Sequence, residues 1–352
     1  MRYTVVRHLA LTLAAAAVLL ALTYGLEPFR NYQLATAAAY LCATAGLTVL
    51  TGLSGQLSLG HGALMATGAY PVALAQNEFR DRDISGGWVL PVSLAIGVAT
   101  ALVAGLVVGL AAARLRGPYL AGVTLAVAVI VPALTTAFDS VFNGDQGLSV
   151  YIEPPPLSLG ATFPYERWQA WIALTGALLT MFLLTNLVRS RYGRHFRAVR
   201  DDEVAARLAG INVARTQVLA FVVSAACAGL GGGLLAVLAQ SVSPGAFSLT
   251  LSLFLVMAVV IGGLGRLAGA VWGALLLVLL PQASHSLTEA LSLSPSAAQR
   301  LDGNLPLAIF GTTLVVVMLL APGGIQGLLA RLAGRFRPRP VTAPDHREVG
   351  TS

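Results

Sequence analysis

Along this chain, apolar runs of near-bilayer length alternate with brief polar interruptions. After the basic residues Arg2 and Arg7, a first run covers 9–26. Nine more follow at about 33–50, 62–77, 88–113, 119–138, 168–188, 214–240, 249–265, 267–283 and 305–321. This pattern predicts an all-α, polytopic membrane protein of about ten transmembrane helices. The runs that begin at 62, 249 and 267 are short, so they are candidates for broken or partly re-entrant helices. The first run also has the layout of a secretory signal peptide. The residues that follow it (Tyr24, Gly25, Leu26, Glu27, Pro28) make a poor small-residue cleavage site, and a retained span is the preferred reading.

Two kinds of residue interrupt the apolar pattern. In 51–70, TGLSGQLSLGHGALMATGAY, glycines cluster with Ser and Gln, which suggests a helix broken inside the membrane region. Gln56, Ser58, Gly60 and His61, with Thr124 of a later run, are candidates for that break or for the wall of a translocation path. His61 reads as a packed or hydrogen-bonded histidine before it reads as a ligand or proton carrier. Gly265, Gly269 and Gly273 repeat at spacing four, as do Gly229 and Gly233. Small residues so spaced let helix backbones approach closely, within one subunit or against a second one.

The longest polar stretch inside the pattern is 187–216, LVRSRYGRHFRAVRDDEVAARLAGINVART, which holds seven of the 22 basic residues. It predicts a short, well-punctuated helix. Asp201 is the expected cap, Asp202 and Glu203 place negative charge at the positive end of the dipole, and Arg207 lies near the other end. Gly210 is the expected left-handed stop. Arg200, Asp201, Asp202, Glu203, Ala205, Ala206, Arg207 and Gly210 are therefore the candidate docking residues for a soluble partner. The alternative is a basic loop that only fixes topology.

Composition narrows the classes. Only 11% of the 352 residues are charged, where a soluble chain has about 25%. Mean hydropathy is +0.77. The net charge of +7 does not imply nucleic-acid binding, because the Arg residues lie in loops beside apolar runs. With ten alternating spans and the island in the cytosol, 17 of the 22 Arg fall inside, and both termini are expected to be cytosolic. Cys42 and Cys227 fall within apolar runs and read as small packing residues. The chain has no lysine, so it cannot contain a phosphate-binding loop with its Lys. No hydrolase or metal-ligand motif is present, and neither a cofactor nor a metal is expected. The spans lack the mid-membrane acids typical of ion-coupled carriers.

The segment 139–167 is long for a connection, and it holds Asn143, Gly144 and Asp145 and a run of three prolines. With 282–305, where His285 and Glu289 lie four apart, it reads as an external rim for a partner or as solvated loop. Residues 1–330 are expected to form the membrane domain, and 331–352 a basic, disordered cytosolic tail.

Five stretches together resemble the LivM-type permeases of branched-chain amino acid ABC importers. They are GLSGQLSLGHGALMATGAY (52–70), RLRGPYLAGVTLAVA (114–128), NGDQGL (143–148), GRHFRAVRDDEVAARLAGINVARTQVLAFVVSAACAGLGGGLLA (193–236) and SPGAFSLTLSLFLVMAVVIGGLGRLAGAVWGALLL (243–277). The resemblance covers about 33–325. It implies a non-enzymatic subunit in the cell membrane that carries Leu, Ile or Val. The implied partners are two ABC ATPase subunits, a homologous second permease and an extracytoplasmic binding protein. Permeases for urea and short amides are similar. The family's importer loop reads Glu-Ala-Ala, three residues, then Gly; Ala205, Ala206 and Gly210 match it, whereas Glu203 lies one position early and Val204 takes its place.

Overall fold

Residues that are apolar on every side form helices because in lipid each backbone amide must find a partner within its own segment. The computed structural model describes residues 2–115, 118–152, 154–160, 162–290 and 295–335. Its helices are α1 (Arg2–Gly25), α2 (Pro28–Leu47), α3 (His61–Asp81), α4 (Val89–Ala112), α5 (Pro118–Ala137), α6 (Asp139–Phe142) and α7 (Tyr165–Arg189). They continue with α8 (Arg191–Asp201), α9 (Glu203–Leu208), α10 (Val213–Ala239), α11 (Leu249–Gly263), α12 (Leu267–Ala290), α13 (Pro295–Leu320) and α14 (Gly324–Arg335). All ten apolar runs are helical. Among the described residues eight helical segments have the length and apolarity to cross a bilayer, and Leu267–Ala283 is a shorter apolar helix. α3 is outside that group because its last turns carry Gln76, Asn77, Glu78, Arg80 and Asp81.

α10 and α2 form the centre. α10 packs on α4, α3 and α2, while α2 packs on α7 and α12. Lipid tails are as apolar as Leu, so helix association rests on close packing, and the crossings are made of small residues. A Cβ on Gly46 would lie 2.6 Å from Cβ of Cys227, and one on Gly231 2.7 Å from the Ala39 carbonyl oxygen. Gly68 lies directly against the Gly229 backbone. α1, by contrast, packs chiefly on α7 and leaves Leu11, Leu13 and Val18 exposed, as a lipid-facing helix does.

The contacts repeat. α3 packs on α4 and α5 as α11 packs on α12 and α13, and α10 lies on α4 as α2 lies on α12. Each half also has a break. α2 runs into a π turn, Thr48–Leu53, where Ser54 N donates to the Val49 carbonyl. The chain then has no helix until His61, whose Nε2 reaches the Ala43 carbonyl at 3.1 Å. Ala43 precedes the end of the π turn by about 15 Å of helix rise, so residues 54–60 turn back into the bundle and α3 starts inside it. In the other half, β2 (Ser241–Val242) and a 3₁₀ turn, Pro244–Phe247, separate α10 from α11. α3 and α11 start side by side, Gly62 N donating to Ser252 Oγ at 3.0 Å.

Within the 139–167 segment, β1 (Leu148–Ser149) pairs antiparallel with β2, and Asn77 Nδ2 donates to the Ser149 carbonyl at 2.9 Å. Three expectations change. α12 continues as helix to Ala290, past the expected end of its run; the side chains of His285 and Glu289 lie outside the described residues. The tail does not begin at 331, because α14 carries the helix to Arg335; the rest of it, 336–352, lies outside the described residues. Gly265 is not on a helix face with Gly269 and Gly273. It sits at φ +79° in the α11–α12 turn, a conformation open to glycine at little cost.

Candidate functional site

The charged island folds as two helices. Ser190 caps α8, its Oγ accepting from Tyr192 N at 3.1 Å, and α8 buries Gly193, Phe196 and Val199 while its Arg residues stay outward or half-buried. Asp202 is the cap of α9, which corrects the expectation of Asp201. Its backbone is extended (φ −160°, ψ 112°), and its Oδ1 accepts from Val204 N at 2.7 Å and Ala205 N at 3.0 Å. Asp201 instead ends α8, where its Oδ1 accepts from Nε and Nη2 of Arg200.

The far end of α9 closes with two reverse bonds. Gly210, at φ +80°, donates to the Arg207 carbonyl, and Ile211 N donates to the Ala206 carbonyl at 3.0 Å. Those are the two bonds of a Schellman stop, and Ile211 packs in one small apolar cluster with Ala206, Val199 and Val213. Glu203 in the first turn lies 3.8 Å from Arg207 and accepts from Gln217 Nε2 at 3.0 Å. With Ala206 turned inward, α9 shows Val204, Ala205 and Leu208 outward; Leu208 is 86% exposed and Val204 67%.

Above α9 lies a buried polar seam. Gln56, Ser58, His61, Thr124, Ser224 and Ser252 are all buried. Leu59 N donates to Thr124 Oγ1 at 3.0 Å, which ties the non-helical stretch to α5. A Cβ at Gly60 would collide with the Thr124 carbonyl, so this close approach needs glycine. His61 donates from Nε2 to Ala43, which makes it a structural link between α2 and α3. Gln56 Nε2 donates to Ser54 Oγ (2.7 Å) and to the Gln217 carbonyl (3.3 Å). Four buried atoms in this region, Gln56 Oε1, Ser58 Oγ, His61 Nδ1 and Ser224 Oγ, have no hydrogen-bond partner among the described residues. A buried polar atom left without a hydrogen bond costs about 1–3 kcal/mol, so this cluster of polar groups is out of keeping with a purely packed crossing.

The glycines expected at helix contacts lie at contacts within this chain. Gly229 faces Ala101 and Gly68, and a Cβ on Gly233 would be 2.9 Å from Val72 Cγ2. On α12 a Cβ at Gly269 would be 2.6 Å from the Gly263 carbonyl and one at Gly273 2.7 Å from that of Ala258. Asn143 and Asp145 are exposed at the opposite end from α9. Asn143 (φ 58°) and Gly144 (φ 54°) form a left-handed turn closed by Asn143 Nδ2 on the Gly147 carbonyl. Gln217, Ser54, Ser224 and Ser252 escaped the sequence reading, although each is a polar residue within or beside an apolar run. Among the described residues no group of three His, Cys, Asp or Glu side chains is placed to hold a metal ion.

Comparison with known proteins gives one family. The model for the permease component of the branched-chain amino acid transport system matches residues 30–321. The high-affinity branched-chain amino acid transport system permease protein LivM of Escherichia coli K12 is 33% identical over 273 residues, 71% of this chain and 62% of the relative. The chain thus spans about three-fifths of the length of that relative and of its Salmonella typhimurium counterpart. LivH of E. coli K12 is 27% identical over 306 residues, 82% of this chain and 91% of the relative. No solved structure matches the chain. The chain is a multi-pass membrane protein, and it belongs to the family of branched-chain amino acid transport system permease components.

Proposed function

We propose that this chain is the transmembrane permease subunit of an ABC importer. It forms, beside a homologous second permease, the path for Leu, Ile or Val delivered by an extracytoplasmic binding protein, and two separate ATPase subunits drive it. The observation that carries this reading is α9, a six-residue helix fixed at both ends whose Val204 and Leu208 face outward at 67% and 86% exposure. An apolar pair at i, i+4 on so firmly held a helix is suited to a cleft in a soluble partner. Of the candidate docking residues, Asp202, Glu203, Ala205, Ala206, Arg207 and Gly210 set the shape of that helix, while Arg200 and Asp201 pair with each other at the end of α8 rather than forming part of the docking face.

In this reading the α9 end is cytosolic and both termini lie on that side. The turn at Asn143, Gly144 and Asp145 belongs to the rim that receives the binding protein, and the polar seam at Gln56, Ser58, Gly60, His61 and Thr124 borders the path. The test is co-purification and reconstitution with the ATPases, second permease and binding protein. ATP-dependent uptake is then measured for leucine, isoleucine and valine against urea and short amides. Leu208→Asp is expected to leave membrane levels normal while removing ATPase capture and uptake. Full capture and uptake by that variant would sink the docking role; uptake of urea alone would sink the substrate assignment.

A further inference from the structure

Two polar threads lead from the α8–α9 element into the broken stretch 54–60. The first is Arg200. Its Nη1 donates to the Gly52 carbonyl at 2.9 Å while Nε and Nη2 hold Asp201. Gly52 lies in the π turn, whose last carbonyls have no helical donor, and a cation at such an end satisfies both a lone pair and the dipole. Three segments meet under this one side chain. A Cβ on Gly55 (φ +74°) would be 2.8 Å from Arg200 Cγ, and one on Gly265, in the α11–α12 turn, 3.6 Å from its Nη1 and 3.2 Å from the Gly52 oxygen.

The second thread is Gln217 on α10. Its side chain donates to Glu203 Oε1 at 3.0 Å, and its carbonyl accepts from Gln56 Nε2 at 3.3 Å. Gln56 then donates to Ser54 Oγ at 2.7 Å, and its own carbonyl accepts from Thr51 Oγ1 at 3.2 Å. The stretch is thus held at both its π-turn end and its middle by groups that also hold the α8–α9 element. It has no helical ladder of its own and starts from a π turn, so few backbone hydrogen bonds oppose a change in its shape.

We propose that Arg200 and Gln217 are positioning residues that couple displacement of α9 to the shape of residues 48–60. The inference rests on the docking reading above, and it assigns the route by which that docking reaches the membrane path. A shift of α9 pulls on Glu203 and Gln217, a shift of α8 on Arg200, and either changes which acceptors the 54–60 backbone can reach. This is a contiguous physical link between two sites, and it stands or falls by coupling measurements.

The experiment uses the complete complex in liposomes, with Arg200→Met, Gln217→Leu and the conservative Arg200→Lys. ATPase capture, uptake, and ATP-dependent hydrogen exchange of residues 48–60 are read together. Capture is expected to stay within about twofold of wild type while uptake falls about tenfold, the scale of a lost coupling contact. The ATP-dependent change in exchange over 48–60 is expected to vanish in Arg200→Met and Gln217→Leu and to return largely in Arg200→Lys. Gln56→Leu, remote from the docking face, is expected to match Gln217→Leu. The inference is overturned if Arg200→Met and Gln217→Leu keep both uptake and the exchange response. It is equally overturned if their losses of capture and uptake run in parallel, since the residues would then serve docking alone. Failure of the wild-type complex to capture an ATPase would instead remove the docking reading itself.

Discussion

At the scale of single residues the fold depends on where a Cβ can be tolerated. Gly269 and Gly122 are both glycines in apolar helices, yet a Cβ at Gly269 would lie 2.6 Å and 2.9 Å from two α11 carbonyl oxygens, and at Gly122 it would meet nothing within 4 Å. Gly269→Leu should therefore overpack the α11–α12 crossing and cost about 1–3 kcal/mol or more, whereas Gly122→Ala should be tolerated or stabilise by up to about 1 kcal/mol. Thermal unfolding of the purified protein in detergent checks the pair; equal midpoints would remove the packing role of Gly269. The sequence showed which glycines recur at spacing four, but spacing cannot separate a helix face from the turn that precedes it. Gly265 shares the spacing of Gly269 and Gly273 yet lies in the turn before α12. The two adjacent aspartates posed a similar problem. Asp201 and Asp202 are equally able to cap, and only the extended backbone at Asp202 selects it.

At the scale of elements, α9 is too short to be stable alone, since helix nucleation is unfavourable and six residues gain few bonds. Its order comes from its ends and from the cluster of Ala206, Val199, Val213 and Ile211. Asp202→Ala should remove a cap worth about 0.5–2 kcal/mol. Gly210→Val should penalise the left-handed stop by roughly 1–2 kcal/mol. Both are expected to speed amide exchange across 203–209 and leave that of α10 unchanged, as read by mass spectrometry. Unchanged exchange in 203–209 would mean that the caps do not hold the helix. The stop was legible because Gly after a charged turn has few other uses. The π turn and the return of 54–60 were legible only as a weakness, from clustered Gly, Ser and Gln. The route of that stretch depends on Thr124, Gln217 and Ser252, which are distant in sequence. The repeated contact pattern of the two halves becomes visible only in the packing of the helices, because many different apolar side chains can fill equivalent crossings.

At the scale of the whole molecule the two ends of the bundle differ. At one end the α8–α9 element, the π turn at Gly52 and the α11–α12 turn with Arg266 lie together. At the other, β1 and β2 join the loop after α5 to the end of α10, and Asn77 of α3 is tied to them. Helix order assigns the loop arginines to these ends very unevenly: Arg114, the seven of the island and Arg266 belong to the first end, and Arg30, Arg80, Arg82 and Arg167 to the second. Arg residues in short loops resist transfer across the bilayer during insertion, so the first end should be cytosolic. Activity reporters fused after Arg200 and after Arg266 are expected to report cytosol, and fusions between 143 and 158 the opposite side. Moving charge offers a sharper check. Replacing Arg189, Arg191 and Arg194 together with Gln should reduce but not invert this preference, because Arg197, Arg200, Arg207 and Arg215 remain in the same loop. Inversion in that triple variant would mean that these three residues alone set the topology. A wild-type reporter after Arg200 on the outer side would place α9 where no cytosolic ATPase could reach it, and the docking role would fall with the topology.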